Sequence, residues 1–127
     1  MTLHHQLVTT TADGVREAHQ HTYDCRVLPD DKDFVLVYPD KENHGITRLV
    51  ITPTSLRIHQ RGDNRHDMLI ASGACHAARF ITSAGALDLQ VETLFLEVTE
   101  TKLQALYDLY AAQNLLLHCH LTLSWQP

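Results

Sequence analysis

The sequence lacks the marks of secreted, membrane-spanning and nucleic-acid-binding proteins. The amino terminus has no basic segment followed by an apolar core, and no later apolar run is long enough to cross a bilayer. Ten Lys plus Arg against fifteen Asp plus Glu give a formal net charge of -5, without a basic block. We therefore expect a cytoplasmic protein that has neither a membrane partner nor a nucleic-acid partner.

Cysteines and catalytic motifs are also sparse. Cys25, Cys75 and Cys119 lie far apart with no CxxC pair, so we expect free thiols rather than disulfides. The sequence has no GxSxG, Walker loop, GxGxxG or HExxH motif. These absences argue against an enzyme, and the residues indicate no cofactor.

The overall composition is that of a globular protein. Apolar residues make up 44% of the 127 residues and charged residues 20%. A chain of this size and composition can bury a core without disulfides or a structural metal. We expect one domain over residues 1–127.

Residues 85–99 alternate apolar and polar side chains almost throughout, in the run GALDLQVETLFLEVT. Before Thr93 one face carries Leu87, Leu89 and Val91. After Thr93 the phase slips by one residue, and the apolar face carries Leu94, Leu96 and Val98. The pattern predicts one long strand with a bulge or a sharp bend, which is typical of a strongly curved sheet or a barrel.

Turn signals divide the rest of the chain into short strands and predict an all-β fold. They recur near positions 13, 30, 42, 53, 62, 73 and 84, mostly every nine to twelve residues. Besides 85–99, the predicted strands span residues 1–10, 14–28, 34–38, 46–52, 55–60, 65–71, 74–82 and 114–125. Residues 29–32 are predicted to form a turn.

Residues 99–114 fit two patterns. Helical spacing groups Leu103, Leu106, Tyr107 and Tyr110, whereas a strand would alternate Leu103, Ala105, Tyr107 and Leu109. Periodicity alone leaves both alternatives open.

Three motifs carry a resemblance to a known family: IxxGxxxxARF from Ile70, GxLxLxxxT from Gly85, and LYDL from Leu106. By these motifs, from about Gly45 to Trp125, the chain resembles the bacterial DUF1934 or YwiB-like proteins. The resemblance implies an all-β, antiparallel, up-and-down, calycin-like (lipocalin-like) barrel of about 8–10 strands. It favours a strand over residues 102–110, and it brings no catalytic residues.

The resemblance also implies a ligand, by analogy with lipocalins and fatty-acid-binding proteins. We expect the barrel to hold a small apolar or carboxylated molecule, with Arg79 and Tyr107 as the pair that binds its anionic end. The alternative, which we favour, is that Arg79 points outward and pairs with an acid across the sheet. Two other functions stay open: a structural protein with a packed core and a protein partner, and a metal-dependent enzyme. Exposed strand edges could also pair two subunits into a homodimer.

Histidine pairs are the only residues that suggest a metal. His19 with His21, and His118 with His120, each lie on one face of a strand and could present two ligands to one ion. No third ligand lies nearby in the sequence. We therefore expect ordinary strand histidines, no metal site and no tight binding of zinc.

Overall fold

The computed structural model describes residues 1–29 and 33–127, which form eleven strands. They are β1 (Thr2–Thr11), β2 (Arg16–Asp24), β3 (Arg26–Leu28), β4 (Phe34–Asp40), β5 (Gly45–Thr52), β6 (Ser55–Arg61), β7 (Arg65–Ala71), β8 (Cys75–Thr82), β9 (Gly85–Val98), β10 (Lys102–Ala111) and β11 (Asn114–Gln126). In this described part of the chain, no helix is long and apolar enough to span a membrane. The predicted turn at 29–32 lies, apart from Pro29, outside the described residues.

The strands form one antiparallel sheet that curls into a nearly closed barrel. The order across the sheet is β2-β1-β11-β10-β9-β8-β7-β6-β5-β4-β3, so consecutive strands are neighbours from β3 to β11. The circuit continues through β1, which pairs with β11, and ends at β2, which pairs with β1. The predicted all-β, up-and-down barrel is confirmed, with one strand more than the upper limit expected.

The extra strand arises because the predicted strand 14–28 is broken at Cys25. Its first part, β2, pairs with β1, whereas its second part, β3, pairs with β4. At the break, the Cys25 N–H donates to the Met1 carbonyl oxygen at 2.8 Å, and the Met1 amino group donates to the Cys25 carbonyl oxygen at 3.2 Å. One segment of chain therefore supplies both edges of the sheet, and the barrel closes where it bends.

The predicted bulge in β9 is confirmed and lies at Leu94. Tyr107 on β10 pairs with Thr93 and Leu106 pairs with Phe95, which leaves Leu94 as the extra residue. Leu94 is 51% exposed, so the apolar inner face resumes at Leu96 rather than at Leu94. Thr93 is buried and bonds to the end of β7 and to the turn after it: its hydroxyl accepts from the Ala71 N–H, and its N–H donates to the Ala74 carbonyl oxygen.

Residues 102–110 are strand, as the resemblance predicts. β10 lies between β9 and β11 and is hydrogen-bonded to both. Every second side chain of the strand is buried: Leu103, Ala105, Tyr107 and Leu109. The neighbouring strands β9 and β11 determine that this segment is a strand rather than a helix, because in the sheet its alternating apolar face is completely buried.

The core fills one end of the barrel. This lower end carries the two chain ends and the turns after β5, β7 and β9; the upper end carries the turns after β1, β4, β6, β8 and β10. The most deeply buried large side chains include Leu3, Leu36, Leu56, Ile70, Leu103 and Leu123. Trp125 packs against Phe34, and its indole N–H donates to the Glu100 carbonyl oxygen at 2.8 Å.

Candidate functional site in the barrel lumen

The upper half of the barrel contains a cavity of about 410 Å³. Inward-facing side chains of the strands line most of it, and the aliphatic part of the wall is formed by Leu7, Leu49, Ile58, Met68, Leu109, Leu117, Leu121 and Leu123. The cavity reaches the gap between β2 and the turn after β4, where His19 and Glu42 are exposed to solvent. Its volume and apolar wall are those of a small-molecule site.

Aromatic rings close the side of the cavity where β2 and β4 meet without hydrogen bonds. Tyr23 of β2 stacks on Tyr38 of β4 with ring centroids 4.1 Å apart and planes at 24°. His21 in turn stacks on Tyr23 at 5.8 Å. On the opposite side of the lumen, His66 stacks on Phe80 at 4.9 Å. These flat, polarisable surfaces suit a planar ligand.

His5 lines this lumen and carries an unpaired polar atom. Its Nδ1 is buried and has no hydrogen-bond partner among the described residues. Burial, and next the neighbouring His21, lower the pKa of His5 to about 4, so the ring is neutral at pH 7. A buried nitrogen without a partner costs free energy, which a ligand that hydrogen-bonds to it would recover.

Protonation of His5 should make the protein less stable in acid. The folded-state pKa of about 4 lies below the ordinary 6.5, so the unfolded chain takes up the proton first as the pH falls. The free energy of unfolding should therefore fall between about pH 6.5 and pH 4, by at most about 3 kcal/mol from this group. His19, His21 and Asp40 are the other charged or titratable groups that act on His5.

Urea unfolding from pH 4.5 to pH 8 measures this loss. His5→Leu should flatten the pH dependence and be no less stable than the wild type at pH 7, because it removes the unpaired nitrogen. His4→Leu, at the exposed neighbouring position, is the control and should keep the wild-type slope. The same slope in wild type and His5→Leu would contradict the assignment.

The charges around the lumen are negative. Asp40 and Glu42 lie at the upper end of the cavity, and Asp40 Oδ2 accepts a hydrogen bond from Gln60 Nε2 at 2.8 Å. Burial, and then these two carboxylates, raise the pKa of Tyr23. No Lys or Arg of the described chain lines the cavity. The lumen therefore favours neutral or cationic molecules over anions.

Comparison with known proteins agrees with the barrel. The sequence model of the family described as "Domain of unknown function (DUF1934)" matches residues 4–123. The chain belongs to the DUF1934 family. The crystal structure of the ywiB protein from Bacillus subtilis has the same fold, with a TM-score of 0.78 and 19% identity over 99% of this chain and 91% of that chain. No curated protein matches the chain.

Of the two predicted ligand residues, the DUF1934 barrel places one in the lumen and one outside. Tyr107 is buried in the cavity wall, and burial raises its pKa well above the ordinary value. The Arg79 side chain is 61% exposed on the outer wall, and its Nε donates to Asp88 Oδ1 at 3.0 Å across β8 and β9. The predicted interior position of Arg79 is therefore wrong. The alternative, an outward Arg79 paired with an acid across the sheet, is correct. The ligand role of Tyr107 stays a prediction.

The two histidine pairs lie on different sides of the barrel wall. His118 and His120 are on the outer wall, where His118 Nδ1 lies 2.5 Å from Asp108 Oδ1. His19 and His21 line the cavity. In residues 1–29 and 33–127, no three His, Cys, Asp or Glu side chains are grouped so as to hold a metal ion. The absence of tight zinc binding stays a prediction.

Sequence patterns did not reveal much of the polar and aromatic lining of the DUF1934 lumen, which includes His5, Tyr23, Tyr38, His66 and Phe80. The sequence contains a pattern that indicates some of them: His5 lies two residues from both Leu3 and Leu7, so the three share the inner face of β1. Tyr23 shares a face of β2 with His19 and His21 in the same way.

Proposed function

We propose that the barrel lumen binds a small, mostly apolar molecule that is neutral or positively charged. The observation that supports this most directly is the 410 Å³ cavity, whose largely apolar wall includes His5, a residue with an unpaired Nδ1. Pockets of this kind usually combine a hydrophobic wall with a few polar groups that orient the ligand. Here His5 is the group best placed to orient it, and Tyr107 contributes part of the wall.

The charge of the lumen argues against a carboxylated ligand. With Arg79 on the outer wall, no cationic side chain of the described lining offsets the cost of burying a carboxylate. Asp40 and Glu42 at the upper end would repel an anion as it approaches. A hydrogen-bond donor on the ligand fits better, because neutral His5 can accept a hydrogen bond through a ring nitrogen.

The cavity favours this binding function over a structural protein with a packed core. A packed core would fill the lumen with side chains, whereas here the core occupies the lower half and the upper half is hollow. The expectations of a cytoplasmic location and of a homodimer stay predictions. Free Cys25, Cys75 and Cys119 are compatible with a reducing compartment.

Filling the lumen should weaken binding. Leu117 lines the cavity, so Leu117→Trp should weaken binding of the neutral naphthalene dye prodan by about tenfold or more. Leu116→Trp makes the same change at a neighbouring residue that is 38% exposed and does not line the cavity, so it should bind as the wild type does. Dye fluorescence titrations measure both, with thermal unfolding to show that each variant is folded.

The anionic dye anilinonaphthalene sulfonate distinguishes the proposed ligand charge. The wild type should bind it less tightly than prodan, because the lumen presents carboxylates and no cation. Native mass spectrometry of freshly purified protein would reveal a ligand retained from the cell. If neither dye binds and no ligand is retained, or if both Trp variants bind equally well, the lumen is not the binding site.

A further inference from the structure

The outer wall of the barrel carries a second concave surface, which is rich in arginine. Arg48 of β5, Arg61 of β6 and Arg65 of β7 line a depression of about 590 Å³ near the upper end. We call it the arginine groove. His44 and His59 also line it. All three arginines are exposed, and none of them lines the lumen.

The strand register explains why these arginines lie together. Thr47 and Leu49 point into the barrel, so Ile46 and Arg48 on the same strand point outward. Ile46 is opposite Arg61 on β6, which places Arg48 and Arg61 at diagonal positions within reach of each other. Arg65 lies just across the 62–64 turn from Arg61.

No counter-charge holds these arginines. Among the described residues, no carboxylate lies within 4.0 Å of Arg48, Arg61 or Arg65. The nearby acids have other partners: Asp63 is 2.5 Å from His44 Nδ1, and Asp67 contacts His59 at 3.4 Å and Arg57 at 3.8 Å. Guanidinium groups stay charged at all physiological pH values, so the three repel one another.

The groove also contains apolar surface. Ile46 is 56% exposed beside the arginines. Val37, on β4, is the neighbour of Arg48 across the strand pair. Concentrated positive charge next to exposed aliphatic surface is unusual in a chain with a net charge of -5. Both features are accounted for by a ligand that has an anionic group and an apolar part.

We propose that the arginine groove binds a phosphate monoester carried on an apolar molecule. Guanidinium groups match the oxygens of phosphate with paired hydrogen bonds, and Arg48 and Arg61 are placed to bind one dianion from two sides. Ile46 and Val37 would contact the apolar part. This site lies on the opposite face of the sheet from the lumen and is independent of what the lumen binds.

Isothermal titration with phenyl phosphate at low salt tests the proposal. The wild type should bind it, and Arg48→Gln or Arg61→Gln should each weaken binding by about tenfold. Arg57→Gln is the matched control: it removes the same charge from the same wall, but from an arginine that faces Asp67 and does not line the groove. Its affinity should stay within about twofold of the wild type.

Thermal unfolding gives a second readout that separates a binding role from a structural one. In chloride buffer, Arg61→Gln should raise the unfolding temperature, because it relieves repulsion among the arginines. Phosphate at equal ionic strength should raise the unfolding temperature of the wild type but not that of Arg61→Gln. An arginine that holds the fold together would instead lower the unfolding temperature when replaced.

The phosphate could belong to a free metabolite or to a lipid headgroup. Cosedimentation with phosphatidylcholine vesicles, with and without phosphatidic acid, distinguishes these sources, and binding of either one supports the proposal if Arg61→Gln weakens that binding. Three results would overturn it: no binding of phenyl phosphate or of phosphatidic acid vesicles, equal losses in Arg57→Gln and Arg61→Gln, or binding of single-stranded RNA alone.

Discussion

Replacing Gly45 with alanine is expected to lower the free energy of unfolding by about 3 kcal/mol or more. A Cβ atom on Gly45 would lie 1.7 Å from the Arg61 carbonyl oxygen and 2.6 Å from the Cα of Gly62. Both are backbone atoms, so no side-chain rotation can relieve the clash. Gly62 is similarly confined, because its Cβ would lie 2.2 Å from the Asn43 carbonyl oxygen.

The clash is severe because two turns are bonded face to face. The buried Asn43 side chain donates to the Asn64 carbonyl oxygen at 2.8 Å and accepts from the Asn64 N–H at 2.7 Å. The Asn43 carbonyl oxygen also accepts from the Asp63 N–H at 2.8 Å. Separating the turns to admit a methyl group would break these bonds. The Arg-Gly-Asp tripeptide at 61–63 is therefore part of a structural junction.

Chemical denaturation of Gly45→Ala and Gly73→Ala measures the effect. Gly73 is the control with the opposite constraint: nothing lies within 4 Å of its added Cβ, but its φ is +70°. Left-handed backbone alone should cost about 1–2 kcal/mol. If Gly45→Ala were no more destabilising than Gly73→Ala, the close approach of the two turns would be wrong.

Leu103→Ala is expected to destabilise the protein by about 3–5 kcal/mol. Leu103 is fully buried at the lower end of the barrel, where it faces Leu123 on one neighbouring strand and Val98 on the other. Truncation would leave a hole among packed side chains, because Leu103 itself does not line the lumen cavity. Such a hole adds to the lost transfer free energy, because the surrounding strands cannot collapse fully.

Leu94→Ala is the matched control for this core substitution. Leu94 is the bulged residue and is 51% exposed, so its truncation should change stability by less than about 0.5 kcal/mol. Equilibrium urea unfolding compares the two variants at one pH. Similar small losses in both would mean that the lower end of the barrel is not packed as described.

Local patterns were sufficient to predict strands that keep the same two neighbours along their length, including the bulged β9. The phase slip after Thr93 marked the bulge in β9, because a bulge reverses which residues face inward. The break at Cys25 could not be read in this way. It results from closure of the barrel, where one continuous run of residues stops pairing with β1 and starts pairing with β4, and local alternation does not show where that change occurs.

The lining of the lumen was harder to predict than the strands. Arg79 lies between Ala78 and Phe80. Because nearby residues such as Ala77 are small, the sequence does not show which face of this strand points into the barrel. The pairing with Asp88 on β9 is decided by the register of the hairpin. Histidines such as His5 and His66 look polar in the sequence, yet barrel curvature places both in the cavity wall.

The pairing of β1 with β11 has a consequence for how the chain is made. During synthesis from the amino terminus, β1 leaves the ribosome first and can pair with β2 at once, but its other edge waits for β11, the last strand. Each strand from β4 to β10 needs only its two sequence neighbours. Until β11 emerges, the nascent chain carries an unpaired edge on β1, which is the kind of edge that pairs with other chains.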